Sequence, residues 1–66
     1  MQIIINGKEK NFDDNISLMN ILKILSLEGK VMAAAINMEI VKQDAWEKHI
    51  LNDGDKLELL DFVGGG

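Results

Sequence analysis

The sequence predicts an α+β domain in which a mixed sheet of about five strands carries one helix on one face. Three observations lead to this prediction. Short segments rich in Ile, Val and Leu are separated by Gly- and Asn-containing turn signals. One amphipathic stretch follows the first two of these segments. The chain has 66 residues, which is enough for one domain with a small core.

The first two strands are predicted to form a hairpin. Gln2 to Asn6 reads as a strand with Met1, Ile3 and Ile5 on one face and Ile4 on the other. Asn6-Gly7-Lys8 is a turn signal, since Asn-Gly is the favoured pair in two-residue hairpins. Lys8 to Phe12 is then the returning strand, antiparallel to the first.

The helix is predicted to begin after Ser17, which is a good N-cap residue. We expect it to run for about 11 residues and to end near Leu27 to Glu28, with Gly29 as its C-terminal glycine. Its apolar residues recur at helical spacing and form one stripe: Leu18, Ile21, Leu22 and Leu25.

The second half of the chain supplies three more strands. Val31 to Ile36 is predicted as the third, with Met32, Ala34 and Ile36 on one face. Ile40-Val41 is the short fourth, and Lys56 to Leu60 is the last, with Leu57 and Leu59 towards the core.

Between the last two strands, Lys42 to Asn52 is expected to be irregular, with room for one helical turn. Trp46, Ile50 and Leu51 are predicted to fill one end of the core, and Asn52 to Asp55 is a strong turn signal.

The order β-β-α-β-β-β indicates a β-grasp arrangement. We expect the last strand to pair beside the first, which would put the Ile3-Ile4-Ile5 strand in the middle of the sheet. The globular domain is predicted to span residues 1–63 and to be followed by a flexible tail, 64–66.

Composition excludes several classes of function. The net charge is −4 and the chain contains no arginine, which argues against nucleic-acid binding. It has no cysteine and therefore neither a disulfide nor a thiolate metal site. No segment is long and apolar enough to span a membrane, and no export signal is evident, so a cytoplasmic location is expected. An acidic surface would suit a partner with a basic docking face.

No enzymatic site is evident. His49 is the only histidine, has no serine or cysteine in an obvious motif to activate, and is expected to be an ordinary surface residue. The acids at 13–14, 53 and 55 are expected to stabilise turns through local hydrogen bonds to the backbone. No phosphate-binding or dinucleotide-binding glycine pattern is present. Trp46 is expected to be a core residue rather than a binding aromatic. The chain is therefore predicted to be no enzyme and to bind no metal or cofactor itself.

The most informative stretch is the terminal Gly64-Gly65-Gly66. Glycines can thread a channel that is too narrow for any Cβ atom. They would carry the α-carboxylate of Gly66 into the active site of another protein. The alternative is a frayed terminus without function.

A docking surface is predicted upstream of the tail. If Leu57 and Leu59 face the helix, Leu60 and Phe62 face away from it, as does Ile4. Ordering each tail glycine costs about 1–2 kcal/mol, so a patch on the domain would have to supply the affinity for a partner.

These residues resemble the ThiS sulfur carriers of thiamine biosynthesis, which are small ubiquitin-like β-grasp proteins. The resemblance runs along the whole chain. Its parts are Ile3-Ile4-Ile5-Asn6-Gly7, the Ser17-capped helix, Ala35-Ile36-Asn37, Glu39-Ile40-Val41, Trp46, the turn Leu51 to Asp55 and Val63-Gly64-Gly65-Gly66. Lys42 stands where the family often has proline, and Met38 where it often has glycine.

The resemblance implies a mechanism. A ThiF-like adenylyltransferase would use ATP and Mg²⁺ to join AMP to Gly66. Sulfur from a cysteine desulfurase relay would displace the AMP and leave a thiocarboxylate. A ThiG-like thiazole synthase would then accept the sulfur. The chain would be a protein co-substrate.

Three alternatives remain open from the sequence. A MoaD-like small subunit of molybdopterin synthase would have the same fold and tail. A ubiquitin-like modifier would form adducts with target lysines. A plain interaction domain would not depend on Gly66.

Overall fold

The computed structural model describes residues 1–61 and has a β-grasp fold within that range. The predicted tail, Phe62 and the predicted domain boundary after Val63 lie outside the described residues. The secondary-structure elements, in chain order, are β1 (Gln2–Ile5), β2 (Lys8–Asn11), α1 (Leu18–Ile24), β3 (Val31–Ile36), β4 (Glu39–Val41), a 3-10 helix (Gln43–Ala45) and β5 (Lys56–Asp61).

The five described strands form one mixed sheet in the order β2-β1-β5-β3-β4. The first and last strands are neighbours, as predicted. They pair in parallel, and the other neighbours are antiparallel. The prediction that β1 lies in the middle was wrong by one place. The central strand is β5, because β3 pairs on the side of β5 that faces away from β1.

Both hairpins turn through two residues with positive φ. The β1–β2 turn is the predicted Asn6-Gly7, with φ of 48° and 85°. The β3–β4 turn is Asn37-Met38, with φ of 51° and 72°. Such turns match the twist of the strands, but a residue with a side chain pays for the left-handed conformation. Met38 carries that cost, and its side chain is exposed.

The helix begins as predicted and ends early. The Ser17 side chain accepts a hydrogen bond from the Asn20 amide at 3.1 Å. At the other end Ser26, with φ of 59°, takes the left-handed position at the end of the helix that was predicted for Gly29. Gly29 also has a positive φ, of 78°, but it lies beyond the end of the helix. The Leu27 amide then bonds the Leu22 carbonyl, and the Ser26 amide bonds the Lys23 carbonyl. This is a Schellman motif, so the predicted end near Leu27 to Glu28 was wrong and α1 has seven residues.

The core lies between the helix and one face of the sheet. Its fully buried members come from β1, α1, β3, β5 and the loop before β5. The largest are Ile3, Leu18, Ile21, Leu22, Val31, Leu51 and Leu57. A register shift in β3 between Val31 and Ala33 breaks the alternation of faces. Val31 and Ala34 are both buried, and the side chain of Met32 is exposed, contrary to the prediction for Met32.

The loop around Trp46 closes one end of the core. Trp46 and Leu51 are buried, as predicted, and the Trp46 ring Nε1 donates to the Val41 carbonyl at 2.8 Å. Ile50 is 43% exposed, so its predicted burial was wrong. Ile50 pairs with Ser17 in an extended bridge, where successive side chains point to opposite sides, and the inner place is taken by Leu51.

Candidate functional site

The candidate site is the end of β5, from which residues 62–66 continue. Gly64, Gly65 and Gly66 lie outside the described residues, so their role stays a prediction. The structure describes the strand that leads to these glycines and the contacts that hold this strand. Because β5 is the central strand, the segment that leads to the tail is held from both sides by earlier parts of the chain.

The two sides hold β5 by different means. On the β3 side the strand pairing continues to Val31 opposite Asp61, the last described residue. On the β1 side the pairing stops at Ile5 opposite Leu57. Beyond that point the Asn6 side chain takes over, with its Oδ1 accepting from the Leu59 amide at 2.9 Å. From the sequence, Asn6 was predicted only as a turn residue, because its contact with β5 depends on the pairing of distant strands.

The predicted docking patch is only partly described. Leu60 is 59% exposed and Ile4 is half-buried, both on the sheet face away from the helix, and Phe62 lies outside the described residues. Ile4 is opposite Lys56, so Leu60 lies four residues further along β5, about 13 Å at the usual rise of a strand. The common face is therefore as expected, but these two side chains are not immediate neighbours.

Other apolar residues surround Leu60. Ala33 lies directly across from it on β3, and Ile40 on β4 is opposite Ala35. Ile40 is 73% exposed. These side chains, together with the polar Asn6 and Glu58, line a shallow depression of about 350 Å³. We call Ala33, Ala35, Ile40 and Leu60 the open-face patch. Its β3 and β4 members were not predicted, although the alternation of side chains along β3 puts Ala33 and Ala35 on the face opposite to Ala34.

The acids of the turn before β5 have the structural role that was predicted for them. Asp53 accepts from the Gln2 amide at 2.7 Å, and Asp55 accepts from the Asn52 amide at 2.8 Å and from the Asn37 side chain at 3.0 Å. His49 is half-buried, and its carbonyl accepts from the Leu18 amide at the start of the helix.

Within residues 1–61, no three His, Asp or Glu side chains come together as a metal site would require. None of the helices in this part of the chain has the length and apolar character needed to cross a bilayer. In this part of the chain, the candidate site consists of the end of β5, held on both sides, and the open-face patch beside it.

Comparison with known proteins agrees with this geometry. The family model described as "ThiS family" matches residues 3–66. The sulfur carrier protein ThiS of Escherichia coli (strain K12) is 32% identical over 66 residues, which cover all of both chains. A crystal structure of the thiamine biosynthesis protein ThiS from Geobacter metallireducens superposes with a TM-score of 0.82, at 28% identity and full coverage of both chains.

A longer relative also matches. The thiazole synthase of Paramagnetospirillum magneticum is 38% identical over 66 residues. The match covers the whole of the present chain, which spans only 20% of the length of that protein. The family match over almost the whole chain, together with the full-length relatives and the shared fold, shows that this chain belongs to the ThiS family.

Proposed function

We propose that this chain carries sulfur for thiazole formation as a thiocarboxylate at Gly66. The observation that carries the proposal is the extent of the family match, which runs from residue 3 to residue 66 and so includes the terminal glycines. The relative from Escherichia coli that matches over its full length bears the name of a sulfur carrier protein. This family match favours thiazole formation over the molybdopterin alternative.

The chemistry starts from an unreactive group. A carboxylate is stabilised by resonance and has no good leaving group. A Gly66 carboxylate oxygen would attack the α-phosphorus of ATP, forming an acyl-adenylate and releasing pyrophosphate. A ThiF-like partner would supply the ATP site and the Mg²⁺ that neutralises the phosphates. The outer sulfur of a persulfide, delivered by a cysteine desulfurase relay, would then attack the acyl carbon, with AMP leaving. A second thiol of the relay would cleave the resulting acyl disulfide, forming a disulfide with the carrier cysteine and leaving the thiocarboxylate on Gly66.

The acceptor proposed for this sulfur is a ThiG-like thiazole synthase. Support comes from the relative in Paramagnetospirillum magneticum, named a thiazole synthase, which contains a segment similar to the whole of this chain. In that protein, a carrier-like segment and the remaining four-fifths of the chain belong to one polypeptide. Our chain would meet such an enzyme as a separate partner. In each encounter it acts as a co-substrate, and the partner provides the catalytic groups.

Docking would rest on the sheet face away from the helix. The open-face patch and the predicted patch of Ile4, Leu60 and Phe62 share Leu60, which is exposed at the end of β5. Each residue that becomes ordered on binding costs about 1–2 kcal/mol, so affinity would have to come from contacts of the folded domain. An apolar patch next to the start of the tail is well placed to supply it.

Substitution of Leu60 by alanine is expected to raise the KM of the activating enzyme for this chain about tenfold and to leave kcat nearly unchanged. The reason is that the patch binds equally in the ground state and the transition state. Ile24→Ala is the matched control, because Ile24 is 62% exposed but lies on the helix. Equal KM values for the two variants would remove Leu60 from the docking surface.

The direct test of the proposal is the intact mass of the chain after incubation with ATP, Mg²⁺, its ThiF-type activating enzyme and a sulfide source. Exchange of one oxygen for sulfur adds about 16 Da. We expect this gain in the full chain and not in a chain that lacks Gly65 and Gly66. An unchanged mass with a cognate and active enzyme would refute the proposal. Higher-mass adducts that survive reducing agent would instead favour the ubiquitin-like modifier.

A further inference from the structure

Two asparagines hold β5 from opposite sides. Asn6 follows the last residue of β1 and Asn37 follows the last residue of β3, and in both cases the preceding residue is an isoleucine. Both adopt left-handed backbone conformations, with φ of 48° and 51°. Both donate their backbone amide to a β5 carbonyl and accept a β5 amide with the side-chain Oδ1.

Asn6 holds the later part of β5. Its backbone amide donates to the Leu57 carbonyl at 3.0 Å. Its side-chain oxygen accepts from the Leu59 amide at 2.9 Å, and its side-chain nitrogen lies 3.4 Å from the Leu59 carbonyl as a donor. The side-chain amide thus takes the place that another strand residue would occupy. It extends the ladder by two residues beyond Leu57, where β1 has already turned away.

Asn37 makes the equivalent contacts at the other end of the strand. Its backbone amide donates to the Lys56 carbonyl at 2.8 Å, and its Oδ1 accepts from the Lys56 amide at 3.0 Å. Its side-chain nitrogen donates to Asp55 at 3.0 Å. Lys56 is the first residue of β5, whereas Leu59 is only seven residues before Gly66. The two asparagines are therefore similar in chemistry and differ in their distance from the C-terminus.

We infer that Asn6 is a positioning residue for the reaction at Gly66. This inference rests on the proposed function. Without the Asn6 side chain, the part of β5 after Leu57 would be hydrogen-bonded on the β3 side alone. The end of β5 would then be less well ordered, so the Gly66 carboxylate would spend less time in the reactive position within a partner. Asn6 also borders the depression beside Leu60, but its loss leaves the apolar members of the open-face patch in place, so we expect docking to change little.

The test compares Asn6→Gly with Asn37→Gly. Glycine accepts positive φ without strain, so each variant removes only the side-chain hydrogen bonds. Three quantities are measured on the full chain: the midpoint of thermal unfolding, hydrogen exchange at the Leu59 amide, and kcat and KM for adenylation by the activating enzyme. Both variants are expected to lose a similar amount of stability, a fall in Tm of about 5 °C.

The two variants should differ in the other readouts. In Asn6→Gly we expect faster exchange at the Leu59 amide and a kcat about tenfold lower, with KM within about twofold of the original. In Asn37→Gly, exchange at Leu59 and kcat should stay near their original values. A merely structural role for Asn6 would give two variants with the same kcat, and that result would overturn the inference.

The adenylation and exchange measurements together distinguish failure of this inference from failure of the proposed function. If the unmodified chain is not adenylated by a cognate enzyme, the proposed function fails, and with it the link to Gly66. If the unmodified chain is adenylated and Asn6→Gly reacts as fast as Asn37→Gly, only the positioning role fails. Equally slow hydrogen exchange at the Leu59 amide in both variants would show that the Asn6 side chain does not hold β5. This conclusion would stand whether or not the chain is adenylated.

Discussion

Replacing Gly65 by valine is expected to lower the rate of thiocarboxylate formation at Gly66 by about 100-fold or more. A tail that must pass through a narrow channel has no room for a Cβ atom, and valine adds a branched side chain next to the reacting residue. Valine also restricts the backbone conformations open to the tail. A displacement of the carboxylate by only about 1 Å from its reactive position suffices for a loss of this size.

The measurement is the rate of mass gain for the Gly65→Val chain and for the original chain, under identical conditions. Every buried core residue of the described structure precedes position 58, so the variant should unfold at the same temperature as the original. It should also compete with the original chain for the activating enzyme, because the docking surface is intact. A Gly65→Val chain that gains sulfur at the original rate would show that no narrow channel receives the tail.

Leu57→Ala is expected to have the largest effect on stability. The Leu57 side chain is 0% exposed, and its strand is the centre of the sheet. Its neighbours across the strands are Ile5 on one side and Ile36 on the other, both buried. Removal of a fully buried leucine side chain leaves a cavity and costs about 2–5 kcal/mol. A domain of this size has a total stability of about 3–10 kcal/mol, so the variant loses much or all of it.

Leu60→Ala provides the matched control for stability. It makes the same chemical change on the same strand, at a side chain that is 59% exposed, and should change the free energy of unfolding by less than about 0.5 kcal/mol. Denaturant titrations of the two variants and the original chain give the comparison. Equal losses in the two variants would mean that β5 does not present Leu57 to the core and Leu60 to solvent.

Local chemistry was sufficient to predict much of this fold. The Asn6-Gly7 pair predicted the first hairpin because few other pairs accept positive φ twice, and Ser17 predicted the start of the helix because its hydroxyl satisfies a free amide. The errors arose where the deciding interaction was not visible in local sequence. Ser26 accepts a left-handed conformation that glycine would adopt with less strain, and the bulge that turns Met32 outward follows from the pairing of β3 with β5.

In the candidate site, too, the features set by local sequence were predictable and those set by distant contacts were not. Strand alternation was enough to put Leu60 on the outer face of the sheet. The distance between Leu60 and Ile4 depends on the register of a parallel pair whose strands are some 50 residues apart in the chain, and no local signal encodes that register. The contact of Asn6 with Leu59 spans 53 residues and was missed for the same reason. The tail glycines needed no structural information, because three consecutive glycines are visible in the sequence itself.

The place of β5 in the sheet has a consequence for biosynthesis. Of the strands in the described structure, β5 is translated last, yet it lies between two that are translated first and third. A ribosome-bound chain that lacks β5 has two separate hairpins, and isolated hairpins are marginally stable at best. The sheet can therefore close only after residue 61 has left the ribosome. Because the open-face patch includes Leu60, a nascent chain cannot present this patch in its folded form before the end of β5 has left the ribosome.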